Sequence, residues 1–288
     1  MRLPLIRGVR GAKRFRDGKD FKIEKMLPRE TRKKETRPRQ NAARRLRKLY
    51  LRLVERFGPQ QWWPAKSAFE VVVGAYLTQN TAWTSVERSI ANLEARGLLT
   101  PAGLRAVDEE ELRTLIRPSG FMLRKAAALK AFVAYLDAHY GGDIERLRQA
   151  ADEDQGRVRQ ALLALPGVGD ETADAILLYA LDAPAMVVDE YLRRVTVRHG
   201  LVPERAKYAE IQAVAESAFA QDAGRESREE LARHYNEFHA LIVQVGKAHC
   251  GRVARCEGCA LEFDLRKRGA SAGASRLLGE RGKEKGPR

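Results

Sequence analysis

The most informative stretch of the chain is residues 165–195, which read LPGVGDETADAILLYALDAPAMVVDEYLRRV. Pro166 ends one helical run, and Gly167 and Gly169 allow a tight turn whose backbone can approach a partner closely. The next helix is predicted to begin near Asp170, so its first N–H groups point outward beside the glycines. Backbone donors at a helix N-terminus bind phosphate without a lysine. The pentapeptide alone also allows an ordinary Pro-Gly turn.

Apolar residues recur at helical spacing on both sides of this stretch. The sequence has neither the sustained apolar–polar alternation nor the Asn-Gly turn that would predict β-strands. The pattern predicts an all-α protein with about ten helices. They cover residues 46–57, 67–77, 83–95, 108–116, 124–139, 157–164, 171–181, 190–199, 207–219 and 228–247.

Positive charge is concentrated at the two ends of the chain. Of the net charge of +15, residues 1–48 contribute 19 Lys and Arg against 5 Asp and Glu, and residues 266–288 contribute 8 against 2. The segment between them is therefore mildly acidic. Residues 1–40 and 266–288 are predicted to be disordered basic tails, which indicate a polyanionic partner such as nucleic acid or serve solubility alone.

The rest of the composition limits the class of protein. The 288 residues are enough for one large domain or two lobes. No stretch is apolar enough for a bilayer span or a secretory signal. We therefore expect a cytoplasmic monomer with no membrane partner, associated with the nucleoid if it is bacterial.

The stretch quoted first resembles the helix–hairpin–helix and Gly/Pro-Asp loop of the endonuclease III superfamily of DNA glycosylases. The hairpin, the following helix, Pro184 and Asp189 stand at the spacing of that family. The resemblance extends to GAYLTQNTAW (74–83) and RPSGFMLRKA (117–126), and it covers roughly residues 45–262.

Within the superfamily, the chain is most similar to the 3-methyladenine DNA glycosylase III branch. The segments that carry this likeness are Trp62-Trp63-Pro64, QNTAW (79–83), ETADAIL (171–177) and VVD (187–189). The resemblance implies two helical lobes with an active-site cleft between them. One lobe would be a six-helix barrel over residues 64–184, and the other would join residues 41–63 to 185–265.

Asp189 is the expected catalytic carboxylate. On position alone it is an N-cap, because it opens the predicted helix that follows it. The resemblance implies that it also stabilises the positive charge that builds on the sugar as an N-glycosidic bond breaks, and that it orients the attacking water. The two roles are compatible.

Glu171 stands where bifunctional members of the superfamily carry the lysine that forms a Schiff base with the sugar. A carboxylate cannot form an imine. The resemblance therefore implies a monofunctional glycosylase that leaves an abasic site and has no lyase activity. Glu171 could otherwise be a favourable charge in the first turn of a helix.

All three tryptophans lie close together in the sequence, at positions 62, 63 and 83. Core packing is one interpretation, and a pocket that stacks on a flipped base is the other. The resemblance favours the pocket, although Trp83 is larger than the phenylalanine typical of the branch, which leaves pocket size and substrate choice open. The implied base-pocket residues are Trp62, Trp63, Pro64, Trp83, Glu171 and Lys247.

The remaining implied contacts are with DNA. Phe121 matches the residue that intercalates, and Gln79 matches the residue that fills the gap opposite the estranged base. A buried Phe and a capping Gln are the alternatives. The hairpin residues implied to hold the phosphate backbone are Leu165, Gly167, Val168 and Gly169.

Cys250, Cys256 and Cys259 resemble the first three ligands of the family's [4Fe–4S] loop. The fourth ligand would stand near Leu265, where there is no cysteine. The open alternatives are a cluster completed by another ligand, a zinc site that includes His249, or no metal. No cofactor is expected to be required for the chemistry.

The sequence therefore predicts a DNA glycosylase of base excision repair that acts on duplex DNA with damaged bases. An alkylated purine of the 3-methyladenine type is the expected substrate. The alternatives are an endonuclease III-like enzyme for oxidised pyrimidines and a helix–hairpin–helix module that binds DNA without catalysis.

Overall fold

The structure is a computed structural model that describes residues 37–60, 65–220 and 226–269. Within these ranges it is helical and has no β-strand, which confirms the all-α prediction. The helices are α1 (Arg37–Phe57), α2 (Ala68–Thr78), α3 (Trp83–Ala95), α4 (Pro101–Ala106), α5 (Glu109–Leu115), α6 (Met122–Tyr140), α7 (Ile144–Glu153), α8 (Gln155–Leu163), α9 (Asp170–Ala175), α10 (Glu190–Arg198), α11 (Tyr208–Ala218), α12 (Arg228–Ala248) and α13 (Glu262–Gly269). None of them is both long and apolar enough to cross a bilayer.

Most of the two predicted tails lies outside the described residues, and so do Trp62, Trp63 and Pro64. Helix α1, however, begins at Arg37, inside the stretch assigned to the first tail. Arg39 donates to Ser217 Oγ at 3.1 Å and to Ala213 O at 2.8 Å in α11. Residues 37–40 are therefore part of the folded protein.

By its internal contacts the chain divides into two compact units. The first unit holds residues 65–187 with 226–236, and the second unit holds the other described residues. The predicted lobes placed residues 226–236, the beginning of α12, with residues 185–265, whereas by internal contacts they group with residues 65–187.

Helix α2 forms the centre of the first unit. It is buried on every side from Val71 to Leu77, as expected for a stretch whose sequence is apolar all round. The Phe132 ring of α6 packs 6.4 Å from Phe69 and 6.1 Å from Tyr76. The turn that follows α2 is therefore attached to a rigid core.

The core of the second unit is aromatic. The ring of Phe219 lies 5.1 Å from Tyr50 and 5.4 Å from Phe238. Arg47 of α1 is buried over the Phe219 ring, with its guanidinium carbon 4.8 Å from the ring centroid. Because of this stacking, another arginine of the basic amino-terminal segment packs against the protein.

The helix predicted over residues 171–181 is α9 followed by a π turn, Ile176–Ala180. Leu181 N donates to Ile176 O at 3.2 Å, which closes the wider ring of a π turn. Such turns within helices are frequent near functional sites. Here the turn leads into the loop that ends at Asp189.

Candidate functional site

The hairpin between α8 and α9 has the tight geometry that its sequence predicts. Val168 N donates to Leu165 O at 3.2 Å, which closes the turn. Gly167 has a φ of +76°, and a Cβ at this position would lie 3.3 Å from Ala128 Cβ. A side chain at Gly167 would therefore be strained in its backbone and crowded by its neighbour.

Gly169 has a different reason to be glycine. Its φ of −106° suits any residue, and it is the N-cap of α9. Nothing lies within 4 Å of a Cβ built there. The backbone at the start of α9 is therefore open to an incoming group, as an anion contact with backbone N–H groups requires.

An ion-pair cluster braces the hairpin from behind. Arg159 of α8 donates to Asp174 Oδ1 at 2.6 Å and to Asp170 Oδ1 at 2.8 Å, both in α9. The Asp174 side chain is buried. The hydrogen bond to Asp174 raises the pKa of the Arg159 guanidinium. Two ion pairs of Arg159 thus hold the two helices of the motif together.

The structure brings Gln79 to the hairpin. Its Nε2 donates to Gly167 O at 2.8 Å and to Thr172 Oγ1 at 3.0 Å. The sequence singled out Gln79 and Gly167 separately, and it gave no sign of Thr172. The turn after α2 and the hairpin are therefore joined.

Phe121, the predicted intercalating residue, is exposed. The fraction of its surface open to solvent is 57%, and it sits in the left-handed region at φ 47° just before α6. Leu123 is 62% exposed on the same turn. Exposure of two large apolar side chains to water is unfavourable on a surface that contacts nothing. It is typical of side chains that insert between bases. Sequence reasoning missed Leu123, because nothing in its spacing distinguishes it from a core residue.

Asp189 lies in the second unit as the N-cap of α10. Its Oδ1 accepts a hydrogen bond from Leu192 N at 2.8 Å. Its Oδ2 lies 3.6 Å from Nε2 of the buried His239 in α12. The carboxylate is largely buried, and its two oxygens have different neighbours. His239 was not predicted, because it is far from Asp189 along the chain.

Helices α10 and α12 approach each other at Gly246. A Cβ at Gly246 would lie 2.3 Å from Cδ1 of Tyr191 and 2.7 Å from its Cβ. Only a glycine allows this approach, and it sets the position of the helix that Asp189 caps. Lys247, predicted to face the base pocket, is exposed in the last turn of α12.

The other two described pocket residues lie in the first unit. Trp83 is the first residue of α3 and is half-buried, and its Nε1 donates to Glu87 Oε1 at 3.0 Å. Glu171 is exposed in the first turn of α9, two residues after Gly169.

The cysteine segment follows α12 in the second unit. Cys250 is buried, and Cys256 and Cys259 are half-buried. Burial raises the pKa of the Cys256 and Cys259 thiols. Arg198 Nη1 donates to Cys250 Sγ at 3.1 Å, so this sulfur faces a guanidinium.

These residues do not fit a four-ligand metal site. A cubane cluster takes four thiolates, and the chain has three cysteines. Asp264, the carboxylate nearest the missing position, is bound by Arg45 Nη2 at 2.5 Å and lies 2.8 Å from His199 Nδ1. His249 Nδ1 lies 3.1 Å from a backbone carbonyl oxygen. In the part of the chain that the structure describes, no three His, Cys, Asp or Glu side chains are arranged to hold a metal ion.

The Asp264 cluster instead ties three helices together with charge. Burial by itself raises the pKa of Asp264, but the hydrogen bonds from His199 and Arg45 outweigh it and lower the pKa to about 2. Arg45 also donates to His199 O at 2.9 Å. In the sequence, Arg45 is one of the charges of the basic segment 1–48. In the structure, its side chain holds α1 against α13 and the end of α10.

Comparison with known proteins adds to this geometry. The family profile described as HhH-GPD superfamily base excision DNA repair protein matches residues 73–221. A protein of Methanocaldococcus jannaschii whose name describes a DNA repair glycosylase is 42% identical over 230 residues, which are 80% of this chain and 100% of the relative.

Two solved structures are similar in fold. The crystal structure of H. pylori 3-methyladenine DNA glycosylase bound to 1,N6-ethenoadenine is 30% identical with a TM-score of 0.60, and the match covers 72% of this chain and 97% of that one. A trapped endonuclease III–DNA covalent intermediate is 24% identical with a TM-score of 0.61, and the match covers 78% of this chain and 98% of that one. The second likeness shows the fold alone.

Proposed function

Because the chain belongs to the HhH-GPD superfamily of base excision DNA repair proteins, we propose that it is a monofunctional DNA glycosylase that hydrolyses the N-glycosidic bond of an alkylated purine. DNA glycosylase activity is the coarser statement that family membership carries. The observation that supports chemistry at the sugar is the Asp189 carboxylate, which is held at a helix N-terminus beside a buried histidine.

Asp189 performs the chemistry in this proposal. As the bond between the sugar C1′ and the base breaks, the base leaves with the bonding electron pair and positive charge builds on the sugar. The carboxylate stabilises that charge. Since Oδ1 is bonded to Leu192 N, we assign to Oδ2 the proton of the attacking water, whose oxygen ends on C1′.

Glu171 supports hydrolysis by water over Schiff-base chemistry. No amine is present at this position of the motif. The lysine with the most strongly lowered pKa in the described part of the chain is Lys125, at about 8. Its ammonium is buried with three oxygen acceptors, so it is not available to a sugar.

The substrate class rests on two supports. The H. pylori relative is named for 3-methyladenine. The segments of this chain that resemble its branch include the tryptophans. A purine alkylated at N3 is cationic, so it stacks well on an indole face and leaves readily as a neutral base. Of the three tryptophans, Trp83 is the one that the structure describes.

Chromatography of the bases released from two DNA samples tests the proposal. Methylated duplex DNA should release 3-methyladenine, and oxidised duplex DNA should release no pyrimidine. The product strand should stay intact until alkali is added, and borohydride should trap no covalent complex. Release from oxidised DNA alone, or borohydride trapping, would show the endonuclease III-like alternative, and release from neither sample would leave a DNA-binding module.

We also propose that residues outside the described ranges add non-specific DNA affinity through their basic charge. Arg39 bonds to α11, so a deletion that spares the fold should end at residue 36. Removing residues 1–36 should weaken duplex binding most at low salt and flatten the dependence of log K on log salt concentration. An unchanged slope would exclude these residues as a DNA contact.

A further inference from the structure

Lys125 in α6 is a buried cation, and among the residues that the structure describes it donates to no carboxylate. Its residue is 2% exposed. Nζ donates to Leu77 O at 2.7 Å, to Thr81 Oγ1 at 2.7 Å and to Ser119 O at 2.9 Å. All three protons of the ammonium thus have an acceptor, and every acceptor is neutral.

The three acceptors lie in or next to the two turns that carry Gln79 and Phe121, the predicted DNA contacts. Leu77 and Thr81 flank Gln79, and Ser119 precedes Phe121 by two residues. Thr81 Oγ1 also contacts Ser119 O at 2.7 Å, so the turns are bonded to each other as well as to the lysine. The ammonium is the point at which both turns meet.

Both turns contain a residue in the left-handed region. Asn80 has a φ of 51° and Phe121 has a φ of 47°. Non-glycine residues adopt this conformation at an energetic cost, so the surroundings must hold it. Lys125 binds the backbone carbonyls of Leu77, three residues before Asn80, and of Ser119, two residues before Phe121.

A buried ammonium is an expensive way to fill this space. Desolvation and the neighbouring charge of Arg124 lower the pKa of Lys125 to about 8, which records the cost of keeping the group charged. An apolar side chain of similar length would avoid that cost, but it would leave two buried carbonyl oxygens without this donor. Packing alone therefore does not explain the lysine.

We propose that Lys125 is a positioning residue that fixes the two turns relative to each other, so that Gln79 and Phe121 enter the duplex as one unit when a base is extruded. The bond from Gln79 to Gly167 O extends the same unit to the hairpin. One hydrogen-bond network then fixes the position of the hairpin that binds the DNA backbone and of the side chains that insert between bases. This inference rests on the proposed function.

The test compares Lys125→Met with Lys130→Met. Lys130 lies on the same helix, and its Nζ also donates to backbone carbonyls, of Arg105 and Val107, away from these two turns. The probe is a duplex with a tetrahydrofuran abasic analogue opposite 2-aminopurine, whose fluorescence rises when an inserted side chain unstacks it. Lys125→Met should lose most of that rise, whereas Lys130→Met should keep it.

Base release supplies the second readout. Under single-turnover conditions Lys125→Met should release bases from methylated duplex DNA about tenfold more slowly, because unstacking a paired base costs a few kcal/mol that the wedge offsets. Release from the same DNA after heat denaturation should stay within about twofold, because no pair has to be opened. An equal loss on both DNAs would show a merely structural role and overturn the inference, as would an unchanged fluorescence rise.

Thr81→Val covers the case in which Lys125→Met does not fold. It removes one acceptor of the same ammonium and keeps the side-chain shape. It should lower the fluorescence rise and the rate of base release from duplex DNA in the same way, but by less. Thr114→Val, at an exposed helical hydroxyl, is its control. If the wild-type protein releases no base from either DNA, the proposed function fails while the fluorescence arm still decides the role of Lys125.

Discussion

The hairpin of the first unit and the Asp189 region of the second use different kinds of atoms. The hairpin presents backbone, and its side chains, such as Arg159 and Gln79, brace it from behind. The Asp189 region presents one carboxylate whose two oxygens have separate neighbours. Affinity built from backbone groups is spread over several residues, whereas chemistry built on one carboxylate is concentrated in a single side chain. The two regions should therefore respond differently to substitution.

The largest effect is expected from Asp189→Asn. Asparagine caps a helix as well as aspartate does, so α10 should stay in place. In the proposed mechanism the carboxylate stabilises charge on the sugar, so its loss should slow base release by about 10²–10³-fold, as the loss of a preorganised electrostatic group does in other enzymes. Single-turnover release from methylated DNA measures the rate, and a gel shift measures DNA affinity, which should be unchanged.

Asp154→Asn is the matched control, because Asp154 caps α8 through the same kind of bond, to Arg157 N at 2.9 Å. It should leave both the rate and the affinity unaltered. A full rate for Asp189→Asn would contradict both the proposed mechanism and the assignment of the chemistry to the Asp189 region.

Gly246→Ala attacks the Asp189 region without touching a charge. The added methyl would overlap the Tyr191 side chain, so α10 or α12 has to shift. Overpacking of this kind costs typically 1–3 kcal/mol, and the short distances favour the upper end, at about 3 kcal/mol. Urea unfolding measures the free energy of unfolding, and the rate of base release should fall with it.

Gly156→Ala is the control on α8, where a Cβ would meet a side-chain oxygen at 3.4 Å. An alanine in a helix is favoured over glycine by up to about 1 kcal/mol, so this variant should be neutral or slightly more stable. A Gly246→Ala protein as stable and as fast as the wild type would mean that the close approach of α10 and α12 does not set the position of Asp189.

The same contrast explains what could be predicted from the sequence. Helices α10 and α12 match their predicted ranges because both have clear apolar periodicity and recognisable ends. Helices α4 and α7 are missing from the predicted set, because both are short and give few buried apolar positions: α4 buries one residue, Leu104, and α7 buries two. Their capping residues, Thr100 and Asp143, were the available signal.

The hairpin could be predicted because its chemistry is local. Glycine spacing and a following helix define it within a few residues. The partners of Asp189 and of the buried lysine could not be predicted, because His239 lies on a distant helix and the acceptors of Lys125 come from as far as 48 residues away. A sequence pattern records neighbours along the chain and gives no sign of pairs that only folding brings together.

Low pH should weaken the second unit through Asp264. Its folded-state pKa of about 2 lies below the unbound value of 3.8, so its stabilising contribution is present above about pH 4 and is lost as the pH falls through about 2. The difference corresponds to about 2 kcal/mol. Asp264→Asn should be less stable than wild type by that order at pH 7 in urea unfolding, and the two proteins should converge near pH 2. A gap that did not narrow with falling pH would show that charge is not what Asp264 contributes.

The smallest effect, and the sharpest comparison, is expected within the hairpin itself. Gly169→Ala adds a methyl to open space at an ordinary φ, so stability should change by less than about 1 kcal/mol. We expect a DNA phosphate to approach the backbone here, so the methyl should lower duplex affinity roughly fivefold to tenfold, while the rate at saturating DNA should be unchanged. Gly167→Ala should instead lower the free energy of unfolding and leave duplex affinity nearly unchanged, because its φ of +76° costs about 1–2 kcal/mol for alanine. Measuring the free energy of unfolding and the affinity for both variants separates a glycine needed for the turn from one needed for the partner, and equal profiles would mean that the open space at Gly169 is not a contact.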